Sequence, residues 1–312
     1  MRNLLVIAGP TAVGKTALSV ALAQRLGGEI ISADAMQIYA GMEIGTAAAT
    51  EKERQGVAHH LIGCIDPAEH FSAAQYQSMA EEIAQQIRAR GRIPIAVGGT
   101  GLYIDALCYE LSFMQAAEDK AFRAEMQELA ARSGAEALYQ RLVQVDPESA
   151  AKLHVNDQKR VIRALEIYHV SGVKKSEQEE HWKEPKPGLR VCMIVLGCAN
   201  RAYLYERINR RVDAMIAEGL EEEVRRLLAA GVPETAQRLQ AIGYKELIAY
   251  FNGSCSRQEA IEAIKRESRR YAKRQLTWFK RQEQAHWIDI ENQTLSALVE
   301  QAEKIIKQDW GL

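Results

Sequence analysis

Short apolar runs alternate with amphipathic helical patterns over the first hundred residues. The run Leu4–Ala8 predicts a buried strand, and the periodic pattern over Thr16–Leu26 predicts a helix that ends at Gly27-Gly28. A second apolar run, Glu29–Ala33, ends at Asp34. Strand, turn, helix, strand is typical of a parallel α/β sheet, which binds ligands at the carboxyl ends of its strands. The first turn and Asp34 are therefore predicted to be neighbours.

A third strand and turn repeat the arrangement. Ser72 and Gln75 form a capping box ahead of a helix predicted over Ala73–Arg90. The apolar run Ile93–Val97 then enters the glycine-rich turn Gly98–Gly101. Because this strand belongs to the same predicted sheet, its turn is expected at the same edge as the first two.

Helical patterns replace the strand signals in the middle of the chain. Asn156 is predicted to be the N-cap of a helix that runs towards Gly172. The apolar run Val191–Leu196 then restores a strand. The predicted fold class is α/β, with a parallel-sheet core formed by residues 1–112 and 188–312 and a mostly α-helical insertion domain formed by residues 113–187.

The last long helix carries an excess of positive charge. Ser256 and Glu259 form a capping box, and the helix is predicted to run to about Gln282. The predicted residues of its core face are Ile261, Ile264, Tyr271 and Trp278. The whole chain has 40 basic and 41 acidic residues, but this segment holds nine basic against three acidic ones, 9 − 3 = +6. A polyanion could bind there, and a solvated helix surface is the alternative. The basic residues are Arg257, Lys265, Arg266, Arg269, Arg270, Lys273, Arg274, Lys280 and Arg281.

The composition indicates a globular protein with a sizeable core. Hydrophobic residues make up 47% of the 312 positions. The longest apolar run near the start is far shorter than the roughly 20 residues that span a bilayer, so no membrane segment is expected. Five cysteines without a C-x-x-C pair indicate free thiols rather than disulfides or a zinc site. We expect a cytoplasmic monomer.

The first turn carries a complete G-x-x-x-x-G-K-T motif between a strand and a helix. Its glycines let backbone N–H groups converge on phosphate oxygens, and the helix N-terminus adds positive potential. Lys15 supplies a charge, and the Thr16 hydroxyl can hold Mg²⁺. The motif makes the core a P-loop parallel sheet, and it leaves open whether the phosphates belong to a nucleotide such as ATP. The predicted phosphate-binding residues are Gly9, Pro10, Thr11, Ala12, Val13, Gly14, Lys15 and Thr16.

Asp34 is the only carboxylate that the local pattern places beside this loop. A nucleotide-hydrolysing P-loop usually has an apolar strand that ends in aspartate, but the third strand ends in Gly98-Gly99-Thr100. Asp34 could support magnesium, act as a general base, or serve only as a turn residue. The histidines form no metal-ligand spacing; they include the pair His59-His60 and the isolated His154, His169, His181 and His286.

Along nearly its whole length the chain resembles the bacterial tRNA dimethylallyltransferases, also called tRNA isopentenyltransferases. A P-loop alone indicates a superfamily, whereas the combination of V-G-G-T-G-L-Y with K-R-Q-x-T-W indicates a family. The stretches that carry the resemblance, in the family's order and spacing, are Gly9–Thr16, Ser32–Asp34, Gly41–Ala47, His59–Leu61, Phe71–Ala74, Val97–Tyr103, Asn156-Asp157, Arg160–Glu166, Ile242–Tyr244 and Lys273–Trp278.

The resemblance implies transfer of a dimethylallyl group from dimethylallyl diphosphate to the N6 amine of the adenine 3′ of the tRNA anticodon. That adenine must be flipped out of its loop. By this resemblance Asp34 takes the amine proton and Thr100 lines the site near the amine. Lys15, the loop amides, Mg²⁺ on Thr16 and Arg211 neutralise the departing diphosphate.

The resemblance also implies a set of tRNA contacts. Ala35 stands where the family commonly has serine, and Ala48-Ala49 replaces Lys-Pro, so a hydroxyl and a charge are missing from this set. The implied tRNA-binding residues are Asp34, Ala35, Met36, Gln37 and Thr100 in the core, and Arg123, Lys159, Arg160, Val161, Ile162 and Arg163 in the insertion.

Two alternative functions use the same loop. An ATP-dependent kinase of a small molecule or nucleotide would use Asp34 as the base for its acceptor, but the basic C-terminal helix has no role in it. An RNA-binding protein with a nucleotide switch explains that helix but leaves Asp34 and the third glycine turn without a function.

Overall fold

A computed structural model describes residues 2–111, 118–179 and 184–311. The chain divides into two compact units. One consists of Met1–Cys108 with Pro187–Leu312, and the other of Tyr109–Lys186. Among the described residues, no helix combines the length and the apolar character needed to cross a membrane. His181, one of the isolated histidines of the sequence, lies outside the described residues.

The larger unit is built on one parallel sheet. Its strands in the described chain are β1 (Arg2–Ala8), β2 (Gly28–Ala33), β3 (His59–His60), β4 (Ile93–Gly98), β5 (Leu189–Gly197) and β6 (Ala285–Asp289). Their order across the sheet is β3-β2-β4-β1-β5-β6, and every pair is parallel. β1 lies between β4 and β5 and is buried on both faces, which explains its uninterrupted apolar sequence. The predicted α/β fold with a P-loop core is confirmed.

The helices of the described residues fall into three stretches of the chain. The first stretch contains α1 (Lys15–Leu26), α2 (Glu43–Thr46), α3 (Glu51–Arg54), α4 (Ala73–Ala89) and α5 (Gly101–Cys108). The smaller unit contains α6 (Lys120–Val145), α7 (Pro147–Lys152), α8 (Gln158–Ser171) and α9 (Lys175–Glu179). The last stretch contains α10 (Arg201–Ala217), α11 (Leu220–Ala229), a 3₁₀ turn at Gln237–Gln240, α12 (Tyr244–Phe251), α13 (Arg257–Phe279) and α14 (Leu295–Trp310).

The capping signals of the sequence predicted helix starts well, with one exception. The capping boxes of α4 and α13 are present at Ser72 and Ser256. The prediction of Asn156 as an N-cap is wrong, because α8 begins one residue later and Asp157 is its N-cap. The Asp157 side chain accepts no hydrogen bond from the helix, so the start of α8 lacks the side-chain cap that the prediction assumed.

The smaller unit has its own apolar core, to which α6 and α8 contribute Met126, Leu138, Leu142 and Val161. Next to this core lies Glu166, a carboxylate with no solvent exposure. A buried carboxylate must be paired or hydrogen-bonded to remain ionised. Cationic partners are therefore required within this unit.

Candidate active site

The phosphate-binding loop after β1 is held in a conformation that only small residues permit. Gly9 has φ 144°, and a Cβ there would lie 2.4 Å from the carbonyl oxygen of Leu196 on β5. Ala12 and Gly14 also have positive φ, at 67° and 95°. Such a loop directs successive N–H groups to one side, ahead of the N-terminus of α1. The geometry is that of an anion-binding loop.

Lys15 is folded back over this loop. Its Nζ donates to the carbonyl oxygens of Gly9 and Pro10, at 3.0 and 2.8 Å. Burial and, to a smaller extent, the charge of Arg211 lower the pKa of Lys15 to about 7, and the charge of Asp34 opposes both effects. A bound anion would restore the charged form of this amine.

Two arginines of α10 lie near the same loop. Arg207 Nε donates to the carbonyl oxygen of Ala12 at 2.8 Å. Arg211, one helical turn later, has a buried Nε with no hydrogen-bond partner among the described residues. Burial lowers the pKa of Arg211, and Asp34 is the first of the charges that oppose this shift. Neither arginine is neutralised by an ion pair in the described chain, and both lie beside an anion-binding loop. This arrangement favours a highly charged anion as the ligand.

Asp34 follows β2 directly and is held by its own turn. Its Oδ1 accepts from the N–H groups of Met36 and Gln37, at 2.9 and 3.4 Å. Its charge acts on both Lys15 and Arg211, so the structure brings these three predicted residues together. No hydrogen bond to Asp34 Oδ2 occurs within the described chain, which leaves one carboxylate oxygen for a ligand or a proton.

Thr100 joins the turn after β4 to the turn that carries Asp34. Its Oγ1 accepts from Ala35 N–H at 3.0 Å, and its own N–H donates to the carbonyl oxygen of Ala33 at 3.1 Å. The Tyr271 hydroxyl of α13 faces Thr100. Burial raises the pKa of Tyr271, and the negative charge of Asp34 raises it further. Tyr271, which the sequence placed in the core, therefore belongs to this site.

Oxygen donors near the loop suit a divalent metal ion. The Thr16 hydroxyl and the second oxygen of Asp34 are hard oxygen ligands of the kind that Mg²⁺ prefers. Asp34 is in no cluster of three metal-ligating side chains among the described residues. So few protein donors suit a divalent cation whose coordination shell is completed by substrate phosphates.

Part of the predicted tRNA-binding set in the core is occupied by structural contacts. Ala35 and Met36 are half-buried. The Gln37 side chain accepts from Ser32 Oγ at 2.9 Å and donates to the carbonyl oxygens of Thr46 and Ala47 at 3.2 and 3.3 Å. The amide of Gln37 therefore joins the Asp34 turn to α2.

The predicted tRNA-binding residues of the insertion differ in their surroundings. Val161 and Ile162 are 0% and 6% exposed, so their side chains are part of the insertion core and cannot contact RNA. Arg123 Nε and Nη2 bind the buried Glu166 at 2.7 and 2.8 Å, and Arg163 binds it at 2.6 Å. These are the cationic partners that the buried carboxylate requires.

The two remaining members, Lys159 and Arg160, are exposed at the start of α8. Arg160 binds Asp157 at 2.7 Å on the surface. An exposed pair of this kind is weak and exchanges readily for another anion. The side chains of α8 most accessible to a polyanion are therefore Lys159 and Arg160.

The basic residues of α13 and of the segment directly after it separate into those with an ion pair and those without one. Acidic side chains bind Arg257, Lys265, Arg266 and Arg270, at distances of 2.6 to 3.5 Å. Arg269 donates to Asn209. We call the other four the distal basic group; they are exposed, form no ion pair with a described residue, and comprise Lys273, Arg274, Lys280 and Arg281.

The fold and the site together define a P-loop α/β protein whose ligand site combines buried cations with one carboxylate. The profile of the IPP transferase family matches residues 37–282, and that of isopentenyl transferases matches residues 2–66. A tRNA dimethylallyltransferase of Geobacillus thermodenitrificans is 53% identical over 92% of this chain and 90% of its own. One of Bacillus subtilis is 50% identical over 92% and 90%. The chain belongs to the IPP transferase family, the family of tRNA dimethylallyltransferases.

Solved structures show the same relationship. The tRNA isopentenylpyrophosphate transferase of Bacillus halodurans has a TM-score of 0.75 and 42% identity, covering 100% of this chain and 97% of its own. A eukaryotic dimethylallyltransferase acting on tRNA has a TM-score of 0.82 and 30% identity, covering 98% of this chain and 78% of its own. These relatives favour prenyl transfer over the kinase alternative.

Proposed function

We propose that this protein transfers a dimethylallyl group from dimethylallyl diphosphate to the exocyclic N6 amine of the adenine 3′ of a tRNA anticodon. The observation that carries the proposal is the position of Asp34. A carboxylate fixed by backbone N–H groups lies beside the two buried cations Lys15 and Arg211. A base next to a site for a polyanionic leaving group is what such a transfer requires.

In the proposed reaction the amine nitrogen attacks the allylic carbon of the diphosphate ester. The carbon–oxygen bond breaks, its electron pair leaves with diphosphate, and Asp34 takes the amine proton. Lys15, the loop N–H groups and Arg211 would hold the negative charge that accumulates on the diphosphate. Thr16 would hold a Mg²⁺ ion, which would supply further positive charge to the leaving group.

For tRNA we propose contacts at the exposed edge of the same site and on the insertion. Asp34, Ala35, Met36 and Thr100 would face the flipped adenine and its neighbours. Gln37 would support this turn through α2, given how its amide is used. On the insertion Lys159 and Arg160 would hold phosphates, with Arg123 and Arg163 contributing from their ion pairs with Glu166.

We expect the protein to act as a cytoplasmic monomer. Its five cysteines are free, which suits a reducing compartment where tRNA is modified. Light scattering coupled to size-exclusion chromatography tests the expected monomer.

The test of the proposed function is transfer of radiolabelled dimethylallyl from its diphosphate to unmodified tRNA, with Mg²⁺ present and ATP absent. Label in the RNA is the expected result. Absence of label, together with ATP turnover on a small acceptor, would overturn the proposal in favour of a kinase. Thermal protection by dimethylallyl diphosphate compared with ATP gives an independent readout, because a ligand of the folded state raises the Tm.

A further inference from the structure

One buried glutamine of α13 connects two of the turns that form the site. Gln275 is 5% exposed. Its Oε1 accepts from Thr11 N–H in the phosphate-binding loop at 3.0 Å, and its Nε2 donates to the carbonyl oxygen of Gly99 at 3.0 Å. A single side-chain amide therefore binds the turn after β1 and the turn after β4.

The connection continues from Gly99 to the catalytic carboxylate. Thr100 follows Gly99 and is hydrogen-bonded to the backbone of Ala33 and Ala35, on either side of Asp34. Gln275 thus links the loop that holds the leaving group to the turn that holds the base. The pairing of β1 with β4 ends at Ala8 and Gly98, and Gln275 links the two turns beyond that point.

The surroundings are shaped to fit this side chain. A Cβ on Gly99 would lie 2.0 Å from Gln275 Nε2, so a side chain at Gly99 would displace the amide. Helix α13 is itself fixed near this point, because Trp278 Nε1 and Gln282 Nε2 donate to the two oxygens of Asp105, at 3.1 and 2.7 Å. Gln275 therefore projects from a helix whose end is held in place by these hydrogen bonds.

We propose that Gln275 is a positioning residue that sets the distance between the bound diphosphate and Asp34. The proposal rests on the proposed function, since it assigns Gln275 a role in the same transfer. Both polar atoms of the amide are needed, because one turn offers an N–H and the other a carbonyl oxygen. A carboxylate or an apolar side chain of similar length satisfies at most one of them.

The expected effect lies in the rate of transfer rather than in binding. Reacting atoms must be held about 3–3.5 Å apart, and a misplacement of about 1 Å costs roughly 10²-fold in rate. In the proposed function Lys15, Arg211 and the loop N–H groups hold the diphosphate. Of these groups only the Thr11 N–H contacts Gln275. The loss of Gln275 should therefore separate kcat from substrate affinity.

The test compares Gln275→Met with Ile264→Ala, which truncates a buried core side chain of the same helix about three helical turns before Gln275. Gln275→Met should lower the single-turnover transfer rate about 30- to 100-fold and change the Kd for inorganic diphosphate less than about threefold. Ile264→Ala should lower the Tm at least as much and keep the transfer rate. Equal transfer rates in the two variants would overturn the proposal.

The variant Gln275→Glu adds a second measurement, the pH dependence of transfer. This dependence would not change if Gln275 served only to fill space in the core. In Gln275→Glu the carboxylate still accepts from Thr11 N–H but repels the carbonyl oxygen of Gly99, and burial raises its pKa. Protonation restores the donor, so transfer by this variant relative to wild type should rise as the pH falls from 8 to 6. A ratio independent of pH would contradict the assignment of the Gly99 contact.

Coupling to Asp34 completes the test. Gln275→Met should cost much less in an Asp34→Ala background than in wild type, because a residue that acts through the base loses its effect without it. The wild-type reaction separates the two proposals. Wild-type protein without transfer refutes the proposed function, and this inference with it. Wild-type transfer with a fully active Gln275→Met variant refutes the positioning role alone.

Discussion

The Glu223 carboxylate accepts a 2.7 Å hydrogen bond from the Tyr244 hydroxyl, and both side chains are buried. The same carboxylate accepts the N–H groups of Ile44 and Gly45, at 2.7 and 2.9 Å. It therefore holds the first turn of α2, the segment that Gln37 holds at its other end. This arrangement gives the Gly41–Ala47 motif a structural role in support of the Asp34 turn.

Gly45→Ala should destabilise the protein by about 1–3 kcal/mol, because the added Cβ would lie 2.5 Å from the Tyr244 hydroxyl and the tightly packed core resists the shift. Urea unfolding measures the change. The cost should be smaller in a Tyr244→Leu background, where the ring is absent. An identical cost in both backgrounds would show that the Tyr244 contact is not its cause.

Binding of dimethylallyl diphosphate should be coupled to protonation of Lys15. Since the pKa of Lys15 is about 7, the amine is mostly neutral at pH 8 and must take up nearly one proton to hold the anion. At pH 6 it is already charged, and no uptake by Lys15 is expected. Calorimetry in buffers of different ionisation enthalpy measures the protons. Lys15→Arg keeps a permanent charge and should abolish the uptake at pH 8, whereas persistence of the uptake would assign it to another group.

Asp34→Asn should preserve the turn and remove the base. The amide oxygen can still accept from Met36 and Gln37 N–H, so the fold of the turn and the Kd for diphosphate should change little. The rate of transfer should fall about 10²- to 10⁴-fold, the usual contribution of a general base. Single-turnover assays with labelled donor test this, and a variant with full activity would exclude Asp34 as the base.

The distal basic group should bind tRNA phosphates. Lys273→Glu combined with Arg274→Glu should raise the apparent KM for tRNA at least about tenfold and weaken its dependence on salt, because fewer counterions are released on binding. Affinity for diphosphate should not change. Arg266→Glu with Arg270→Glu makes the same change of charge at residues already paired with Glu267, and it should affect KM less. Equal effects of the two double variants would mean that net charge alone matters.

Glu166→Gln should loosen the insertion. Burial raises the pKa of Glu166, but hydrogen bonds from Arg123 and Arg163 outweigh burial and hold it below its usual range, so the carboxylate is ionised and paired. Removing one partner of a buried pair typically costs about 3–5 kcal/mol. Hydrogen exchange should therefore accelerate in α6 and α8 while β1 and β5 remain protected. Arg160→Ala breaks only the exposed pair with Asp157 and should cost less than about 1 kcal/mol.

The local signals of the sequence were sufficient for the loop and for four strands of the sheet, but they did not predict β3 or β6. An apolar run, a glycine turn and a helical period lie within twenty-six residues at the start of the chain, and β1 and α1 formed where this pattern predicted. The caps at Ser72 and Ser256 were also local. Asn156 was misassigned because two neighbouring residues, Asn156 and Asp157, both suit an N-cap and the pattern does not distinguish them.

The remaining parts of the site depend on contacts between distant residues. Arg207 meets Ala12 across 195 positions, and Gln275 meets Thr11 across 264. No periodicity links such pairs, so neither Arg207 nor Gln275 was assigned a role from its own surroundings. The only sequence signal for Gln275 was its place in the K-R-Q-x-T-W motif, and Arg211 came from resemblance alone.

Thr11 and Gln275 are 264 positions apart in the sequence, so the ribosome makes the phosphate-binding loop well before its partner. The motif that binds phosphate leaves the ribosome early, but Arg211 and Gln275 follow about two hundred or more residues later. At roughly 5–20 residues per second, the growing chain exposes an incomplete loop for on the order of ten seconds or more. Until α13 has been translated and docked, the nascent chain has its phosphate-binding motif without the hydrogen bond between Thr11 and Gln275, so the loop gains this contact only after most of the chain has been made.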